Sequence, residues 1–247
     1  MERVLKDEAT QIGATPVSQQ QIERLFGVLV GGDRVGARQL VEEMLSGGTP
    51  PAELITEVYW PTYSMIEKMY RADQMTTLAH NMSTKLLRVL VDQTAMELES
   101  ETSNGRSVLA FCGPTDADEL GAQMAVDLLE ANGFNVRFAG GGVAGDEILE
   151  EVQTTQPDVL LMFASAPSDL PEIRRMIDHI SEIGAWKATQ TVVGGGVFNR
   201  ADGLAEEIGA DLWASSPAEL VEVMLDEPER RAEPDQRTVG RKRKRAA

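Results

Sequence analysis

The chain has 247 residues, 42% of them hydrophobic and 5% aromatic, which is enough to build one large domain or two smaller ones with true cores. Its formal net charge of −17 disfavours binding to the phosphate backbones of nucleic acids. The single cysteine, Cys112, excludes an internal disulfide framework and is expected to be a buried structural thiol. With only two histidines beside it, a zinc site of the usual histidine and cysteine type is disfavoured.

Residues 1–16 form a polar lead that we predict to be disordered. The lead contains no apolar core of the signal-peptide kind, and no stretch of the chain is apolar over the length needed to cross a bilayer. The sequence therefore predicts a cytoplasmic protein that makes no membrane contact.

Residues 17–98 carry four amphipathic helical patterns. Ser18 is placed to cap the first helix, and glycine pairs end the first and the second. Thr49 is placed to cap the third helix, which should bend or split at Pro61. Since the joints are short, the four patterns predict an antiparallel four-helix bundle. The apolar residues available for packing in the fourth helix, over about residues 75–98, are Leu78, Met82, Leu86, Leu87, Val91 and Met96.

Residues 99–106 form a polar linker, and over residues 107–226 strand-like runs alternate with helical patterns. Five such units predict an α/β domain with a parallel, doubly wound, flavodoxin-like sheet. Sheets of this kind bind ligands outside the carboxyl ends of their strands, where the strand order switches. The five apolar runs are SVLAFC (107–112), FNVRFA (134–139), DVLLMFA (158–164), TQTVVG (189–194) and ADLWA (210–214).

Three loops at these strand ends are candidates for ligand binding, and they read GPTDADELG, ASAPSDLP and GGGVFNR. Each loop alone is also compatible with a plain turn, but small residues at neighbouring strand ends together predict a hollow. The three glycines would let a backbone approach a flat ligand or a phosphate closely. The candidate cofactor-binding residues in these loops are Thr115, Asp116, Asp118, Gly121, Ser165, Pro167, Gly194, Gly195 and Gly196.

Other ligands of this sheet type fit the loops less well. A response-regulator receiver needs a lysine after the fifth strand, where this chain reads WASSPAE. A flavodoxin phosphate loop needs hydroxyl groups where PTDADELG has carboxylates, which would repel the phosphate. The dinucleotide fingerprint G-x-G-x-x-G is absent after the first strand. Neither His80 nor His179 can be assigned to a Ser-His-Asp catalytic triad from the sequence.

In its motifs the chain resembles the cobalamin-binding modules of corrinoid methyltransferase proteins, methionine synthase and light-sensing cobalamin-dependent repressors. The resemblance covers roughly residues 17–225 and implies a helical bundle, an α/β domain and a corrin ring between them. It implies cobalamin as the cofactor. The matching stretches are 116–121 against D-x-H-x-x-G, 165–167 against S-x-L, 193–195 against V-G-G and 209–211 against G-A-D.

The chain departs from this family at one central position. In the family, the loop histidine binds the cobalt from below and the nucleotide tail enters the α/β domain, whereas Asp118 stands at the histidine position here. A carboxylate is a much poorer partner for low-spin cobalt(III) than an imidazole. Three outcomes stay open: cobalamin bound base-on or otherwise without a histidine ligand, a different flat cofactor, or none. Asp118 can also simply cap the following helix.

The resemblance also implies bundle residues that face the upper side of the corrin. Family members carry an aromatic residue there, followed some ten residues later by a Glu-His pair. Tyr70 stands at the aromatic position and His80 is displaced by one residue, which turns it by about 100° around a helix. His80 is thus a candidate cobalt ligand, with a polar surface histidine as the alternative. Trp60 is a second candidate cover for the corrin, or else a core residue.

Residues 227–247 are predicted to form a disordered basic tail that ends in RKRKR (241–245). From Pro228 onward, eight basic residues stand against three acidic ones. Such a run can make weak contact with nucleic acid or with an acidic surface, or it can keep the chain soluble.

The sequence predicts a cobalamin-binding sensor or regulatory protein rather than an enzyme. The reason is that methyl carriers of this family rely on the lower histidine while the cobalt changes oxidation state. A binding protein that signals through rearrangement of bundle and sheet does not need that cycle. One alternative is a corrinoid carrier subunit with a methyltransferase as its partner, and another is an interaction module that has kept only the fold.

Overall fold

The computed structural model describes residues 19–183 and 188–232. The polar lead with the Ser18 cap, residues 184–187 and the basic run at 241–245 lie outside the described residues. Within the described ranges, no helix has the length and apolar character needed to cross a membrane.

The N-terminal part is a bundle of packed helices. Asp33 caps the second helix by accepting a hydrogen bond from the Gly36 N–H at 2.9 Å, and Thr76 caps the last by accepting one from the Ala79 N–H at 3.2 Å. The apolar faces of the helices meet in a dry core that includes Leu87. The helices are α1 (Gln19–Val30), α2 (Arg34–Ser46), α3 (Pro51–Glu53), α4 (Trp60–Arg71) and α5 (Thr77–Ala95).

A π-helical turn lies directly before Pro61, where the sequence predicts that the helix bends or splits. Residues Leu54–Tyr59 are π-helical and join α3 to α4 without interruption, with the Trp60 N–H bonded to the Ile55 carbonyl. Because Pro61 has no N–H to donate within the helix, the wider turn accommodates its ring and keeps the helix continuous. The predicted Thr49 cap is wrong, since the helix begins after Pro50 with no side-chain cap.

The apolar pattern of α5 overestimates its buried face. Leu86, Leu87 and Val91 are buried in the bundle, as predicted. Leu78 and Met96 are 70% and 78% exposed, respectively. Leu78 is exposed because only one stripe of a helix can face its neighbours, and Met96 is exposed at the C-cap, beyond the last residue of α5.

The C-terminal part is a parallel sheet with the strand order β2-β1-β3-β4-β5, which confirms the predicted flavodoxin-like fold. The order switches between β1 and β3, where Val108 pairs with Val159. Cys112, at the end of β1, is buried as predicted, and burial raises its pKa to about 12. The strands are β1 (Ser107–Cys112), β2 (Asn135–Gly141), β3 (Val159–Phe163), β4 (Gln190–Gly194) and β5 (Leu212–Ala214). The helices are α6 (Asp116–Ala131), α7 (Gly145–Thr155), α8 (Leu170–Ile183), α9 (Leu204–Ile208) and α10 (Pro217–Asp226).

The two faces of the sheet have separate apolar cores. One core, with Val152 and Ile177, lies under α7, α8 and α9. The other core joins α6 and α10 to the bundle, so that Leu129 and Met224 belong to the same cluster as Leu87. The bundle therefore packs on one side of the α/β layer and shares its interior.

Asp127 on α6 gives this shared side a pH dependence. Burial raises its pKa from 3.8 to about 6, against the opposing effect of a hydrogen bond from Gln123. Its second carboxylate oxygen is buried without a hydrogen-bond partner. Because the folded chain holds this proton more tightly than the unfolded chain, the free energy of unfolding is expected to fall as pH rises from 3.8 to about 6.

Asp127→Asn is expected to flatten this part of the pH profile and to stabilise the protein at neutral pH, because the amide carries no charge to desolvate. Urea denaturation at several pH values across the window measures the effect. The exposed Asp226→Asn serves as the control and should keep the wild-type slope. An Asp127→Asn profile that is parallel to the wild-type profile would contradict the prediction.

Candidate functional site

A cavity of about 370 Å³ lies where the carboxyl ends of β3, β4 and β5 meet the bundle. The other walls of the cavity are formed by residues of α4, of α6 and of the start of α10. This is the edge at which the sequence predicted a hollow. The predicted cofactor-binding residues that line the cavity are Trp60, Asp118, Gly121, Ser165, Gly194, Gly195 and Gly196.

One arm of the cavity, which we call the slot, runs between α6 and α10. Its walls carry Gly121, Ala122 and Ala125 of α6 and Leu220 of α10. Gly121 and Ala125 lie four residues apart, so the slot extends about 6 Å along that helix. Small side chains on α6 therefore form an apolar part of the cavity wall inside the α/β domain.

The glycine loop after β4 forms the wall of the cavity at the sheet. Gly195 has a φ of +104°, and a Cβ there would collide with the Ala164 carbonyl of the neighbouring strand end. A Cβ on Gly194 would lie 3.2 Å from the Phe163 ring. Glycine is required at Gly195 for both conformation and space, so the bare backbone of this loop faces the cavity.

Asp118 is fixed by its own helix terminus. Its Oδ2 accepts hydrogen bonds from the Thr115 hydroxyl at 2.6 Å and from the Thr115 N–H at 3.3 Å. In return the Thr115 hydroxyl accepts a bond from the Asp118 N–H at 3.1 Å, which completes a capping box. A Cβ on Gly113 would lie 2.6 Å from Oδ2, so the glycine makes room for this carboxylate. The capping alternative weighed from the sequence is thus present.

Four predicted residues lie outside the cavity lining. Thr115 is occupied as the cap, and Asp116 points to solvent within 4.0 Å of Lys85. Pro167 begins a short 3-10 turn beyond Ser165. Tyr70 packs against the His80 ring instead, with the ring centroids 3.9 Å apart and nearly parallel.

His80 is neither a surface residue nor part of the cavity wall. It is only 8% exposed, and its Nε2 lies 2.5 Å from Glu67 Oε1. Glu67 itself lines the cavity and also pairs with Arg71 at 3.4 Å. The interpretation of His80 as a polar surface histidine is wrong, because the ring is enclosed between Tyr70 and Glu67. The carboxylate, and not the imidazole, is the group that faces the cavity.

Tyr63 joins the bundle to the α/β domain at the centre of the site. Its hydroxyl donates a hydrogen bond of 3.0 Å to the Ala117 carbonyl, and a Cβ on Gly121 would lie 2.9 Å from that oxygen. Burial, together with the charges of Glu67 and Asp118, raises the pKa of Tyr63 far above its usual value, so the group stays a neutral donor. The sequence analysis did not single out this residue, because its apolar neighbours on the helix are typical of ordinary core packing.

Basic residues at the cavity mouth were also missed from the sequence. Lys68 and Arg71 come from α4. Arg200 comes from the loop GGGVFNR, in which the sequence analysis considered only the glycines as candidate binding residues. Within the described residues there is no group of three or more histidine, cysteine, aspartate or glutamate side chains that could hold a metal ion. A cofactor that brings the ligands of its own metal would not need such a group.

Comparison with known proteins identifies such a cofactor. Two family models, each described as a B12 binding domain, match residues 21–93 and 106–222, which together make up more than half of the chain. The chain belongs to the cobalamin-binding protein family. This confirms the family and the cofactor predicted from the sequence motifs, and the two matches coincide with the bundle and with the α/β part.

The cobalamin-binding chain is similar to methylamine corrinoid proteins over nearly their whole length. It is 24% identical to monomethylamine corrinoid protein 1 of Methanosarcina mazei, covering 85% of this chain and 98% of the relative. It is 25% identical to monomethylamine corrinoid protein 2 of Methanosarcina acetivorans, covering 83% and 95%. The solved structure of the Methanosarcina barkeri monomethylamine corrinoid protein matches with a TM-score of 0.75 at 23% identity, covering 84% and 98%, which shows the same fold.

The residues of the site fit one part of a cobalamin well. The slot is lined by apolar side chains beside the strand ends, which suits the planar benzimidazole at the end of a nucleotide tail. At about 370 Å³ the cavity is smaller than a whole cobalamin. No histidine lines the cavity within the described residues, and Asp118 is already bonded to Thr115.

Proposed function

We propose that the protein is a corrinoid carrier of a methyltransferase system, in which the bound corrin lies between the bundle and the strand ends. The slot beside the glycine loop is the observation that carries the proposal, because it accommodates a cofactor tail inside the α/β domain. The names of the relatives, all methylamine corrinoid proteins, support this function over a sensor function. A partner methyltransferase would exchange the methyl group with the bound corrin.

We further propose that the tail occupies the slot and that no protein imidazole binds the cobalt. When bound, the corrin supplies a cobalt centre that accepts and releases a methyl group. Asp118 keeps its place in the capping box with Thr115, and its carboxylate lies at the edge of the cavity. Tyr63, Trp60 and the apolar slot exclude water from the interface. In a base-on mode the benzimidazole would stay on the cobalt and the slot would remain empty. The geometry therefore favours a base-off mode, in which the benzimidazole has left the cobalt and no histidine replaces it.

The sensor interpretation drawn from the sequence rests on the missing histidine alone. That argument is weaker because the slot offers a place for the nucleotide tail. The slot can thereby hold the cofactor without a protein ligand to cobalt. A sensor would respond to light or to the upper cobalt ligand with a change in oligomeric state. A carrier would instead turn over methyl groups while the corrin stays bound.

The experiment is a methyl-transfer assay on the reconstituted protein. Purified protein is incubated with methylcobalamin, freed of excess by gel filtration, and mixed with a methylamine-type methyltransferase and a thiol acceptor. We expect the corrin absorbance to stay with the protein and to lose its methylcobalamin character as methylated thiol accumulates. Protein that elutes colourless would refute cobalamin binding. Coloured protein that shows no methyl loss, but changes its oligomeric state on illumination, would favour the sensor function.

A further inference from the structure

The side chain of Tyr63 reaches from the bundle onto residues 116–121, the stretch that matches the D-x-H-x-x-G motif. Its hydroxyl donates a hydrogen bond of 3.0 Å to the Ala117 carbonyl. A Cβ on Gly121 would lie 2.9 Å from the hydroxyl oxygen and 3.3 Å from the ring carbon Cε1, so the edge of the phenol lies directly on this glycine. Tyr63 is only 6% exposed. Any other group that is to contact the motif glycine from this side has to displace the ring.

The place proposed for the corrin and the Tyr63 contact coincide. In the proposed carrier the corrin lies between the bundle and the strand ends, and Tyr63 spans that same gap. Both Tyr63 and Gly121 line the cavity, which at about 370 Å³ is smaller than a whole cobalamin. Movement of the ring away from Gly121 would enlarge the cavity from within, along the surface of α6.

The Tyr63 contact can open without damage to either part. The Ala117 carbonyl lies in the first turn of α6, where the N–H of Gly121, four residues later, is its regular helical partner. Loss of the Tyr63 bond therefore leaves that carbonyl with its helical bond. Arg88 of α5 holds Glu119 of α6 through two contacts of 3.2 Å, and the shared apolar core also joins these two helices. The bundle would stay attached to the α/β domain after Tyr63 had left Gly121.

Tyr59 provides a matched comparison, because it is another buried tyrosine about one helical turn before Tyr63. Its hydroxyl lies 2.9 Å from the Thr94 hydroxyl of α5, and the side chain is fully buried. Both partners of that bond belong to the bundle, whereas the Tyr63 bond crosses to the α/β domain. Removal of either hydroxyl takes the same atom from a buried ring, but only one removal weakens the closure of the cavity.

We propose that Tyr63 is a latch that closes the cavity and has to leave Gly121 before a corrinoid can enter. The inference rests on cobalamin binding and deepens the proposed function, because it names the step that regulates access to the site. The closed arrangement and the corrin compete for the same space, so a corrinoid binds only to the open arrangement. The latch consists of one neutral hydrogen bond and one contact between a ring and a glycine, so it opens reversibly.

The test measures the rate of binding by stopped-flow absorbance at increasing concentrations of hydroxocobalamin. If Tyr63 has to leave first, the observed rate rises to a ceiling that equals the rate of opening. Tyr63→Phe keeps the ring and removes the hydrogen bond, so its ceiling should be about fivefold higher, the effect of one neutral hydrogen bond. Tyr63→Ala also removes the ring and should raise the ceiling further. Cobinamide, which has no nucleotide tail, should reach the same wild-type ceiling, since opening precedes contact with either corrinoid.

The control is Tyr59→Phe, which should leave the ceiling unchanged because the Thr94 bond lies inside the bundle. Urea unfolding curves check that the variants fold. The concentration dependence of the wild-type rate is a test in its own right, so the latch stays falsifiable even if a Tyr63 variant does not fold.

The outcomes separate this inference from the proposed function. A wild-type rate that rises in proportion to corrinoid concentration, without a ceiling, would refute the latch and leave the carrier function standing. A ceiling that Tyr59→Phe and Tyr63→Phe raise equally would reflect a general loosening of the bundle and would also refute the latch. If the wild type binds no corrinoid and Tyr63→Ala binds one, both the latch and cobalamin binding are supported. If neither binds a corrinoid, the proposed function fails and the latch fails with it.

Discussion

Asp118→His is expected to place an imidazole nitrogen on the cobalt of bound cobalamin, where the wild type has none. Asp118 stands at the start of α6 at the edge of the cavity, so a histidine there occupies the position that the family motif uses. After reduction to the cobalt(II) form, the EPR spectrum of the variant should gain hyperfine splitting from one axial nitrogen. The wild type should lack that splitting if, as we propose, its benzimidazole lies in the slot.

The matched control is Asp116→His, two residues earlier on the same helix turn, where the side chain is 69% exposed and near Lys85. This variant should keep the wild-type spectrum. Asp118→His should also lose about 1 kcal/mol of stability, since the capping box with Thr115 is broken. Labelling the protein with nitrogen-15 identifies the source of any splitting. Axial nitrogen splitting in the wild type that is insensitive to the label would establish the base-on mode and contradict the proposal.

Ala125→Phe is expected to abolish stable cobalamin binding by filling the slot. The added ring would occupy the space between α6 and α10 that we assign to the benzimidazole, so hydroxocobalamin affinity should fall by at least about a hundredfold, the equivalent of roughly 2.7 kcal/mol. Ala125 is only 1% exposed and belongs to the shared apolar core, so the ring should also cost about 1–3 kcal/mol of stability by overpacking, which a urea unfolding curve measures. Retention of colour through gel filtration, followed by spectral titration, measures the loss.

Ala52→Phe, at an exposed position on α3, provides the control for the added ring and should bind like the wild type. Cobinamide, which has no tail, should bind Ala125→Phe and the wild type alike. If Ala125→Phe retains full hydroxocobalamin affinity with an unchanged fold, then the tail does not enter the slot and the benzimidazole must lie elsewhere.

The fold was accessible from the sequence because its signals are local. Apolar runs such as SVLAFC and DVLLMFA, each followed by a helical pattern, can be buried on both faces only in a parallel sheet. The glycine loop after β4 could also be recognised from local sequence. Gly195 has a positive φ there, which residues other than glycine rarely adopt. Asp118 was placed correctly at a helix start because capping depends on neighbours three residues apart.

The parts that were missed depend on contacts between distant residues. Tyr63 meets Ala117 across 54 positions of sequence, and nothing in its own helix marks it as the link between the two parts. His80 is turned away from the cavity because Glu67, thirteen residues earlier, holds its ring. Arg200 and Arg71 line the same cavity although they are far apart in sequence and belong to different parts of the fold. Likewise, the continuity of the helix through Pro61 follows from a π-helical turn that no single-residue preference encodes.

The shared core on one side of the sheet ties the folding of the two matched halves together. Leu129 and Met224 of the α/β domain belong to the same apolar cluster as Leu87 of the bundle. Neither the bundle nor the α/β domain therefore has a complete hydrophobic core without the other. A gene fragment beginning near residue 99 would leave the outer surfaces of α6 and α10 facing water and would be prone to aggregation. Equilibrium unfolding of the intact chain should accordingly follow a single cooperative transition and not two.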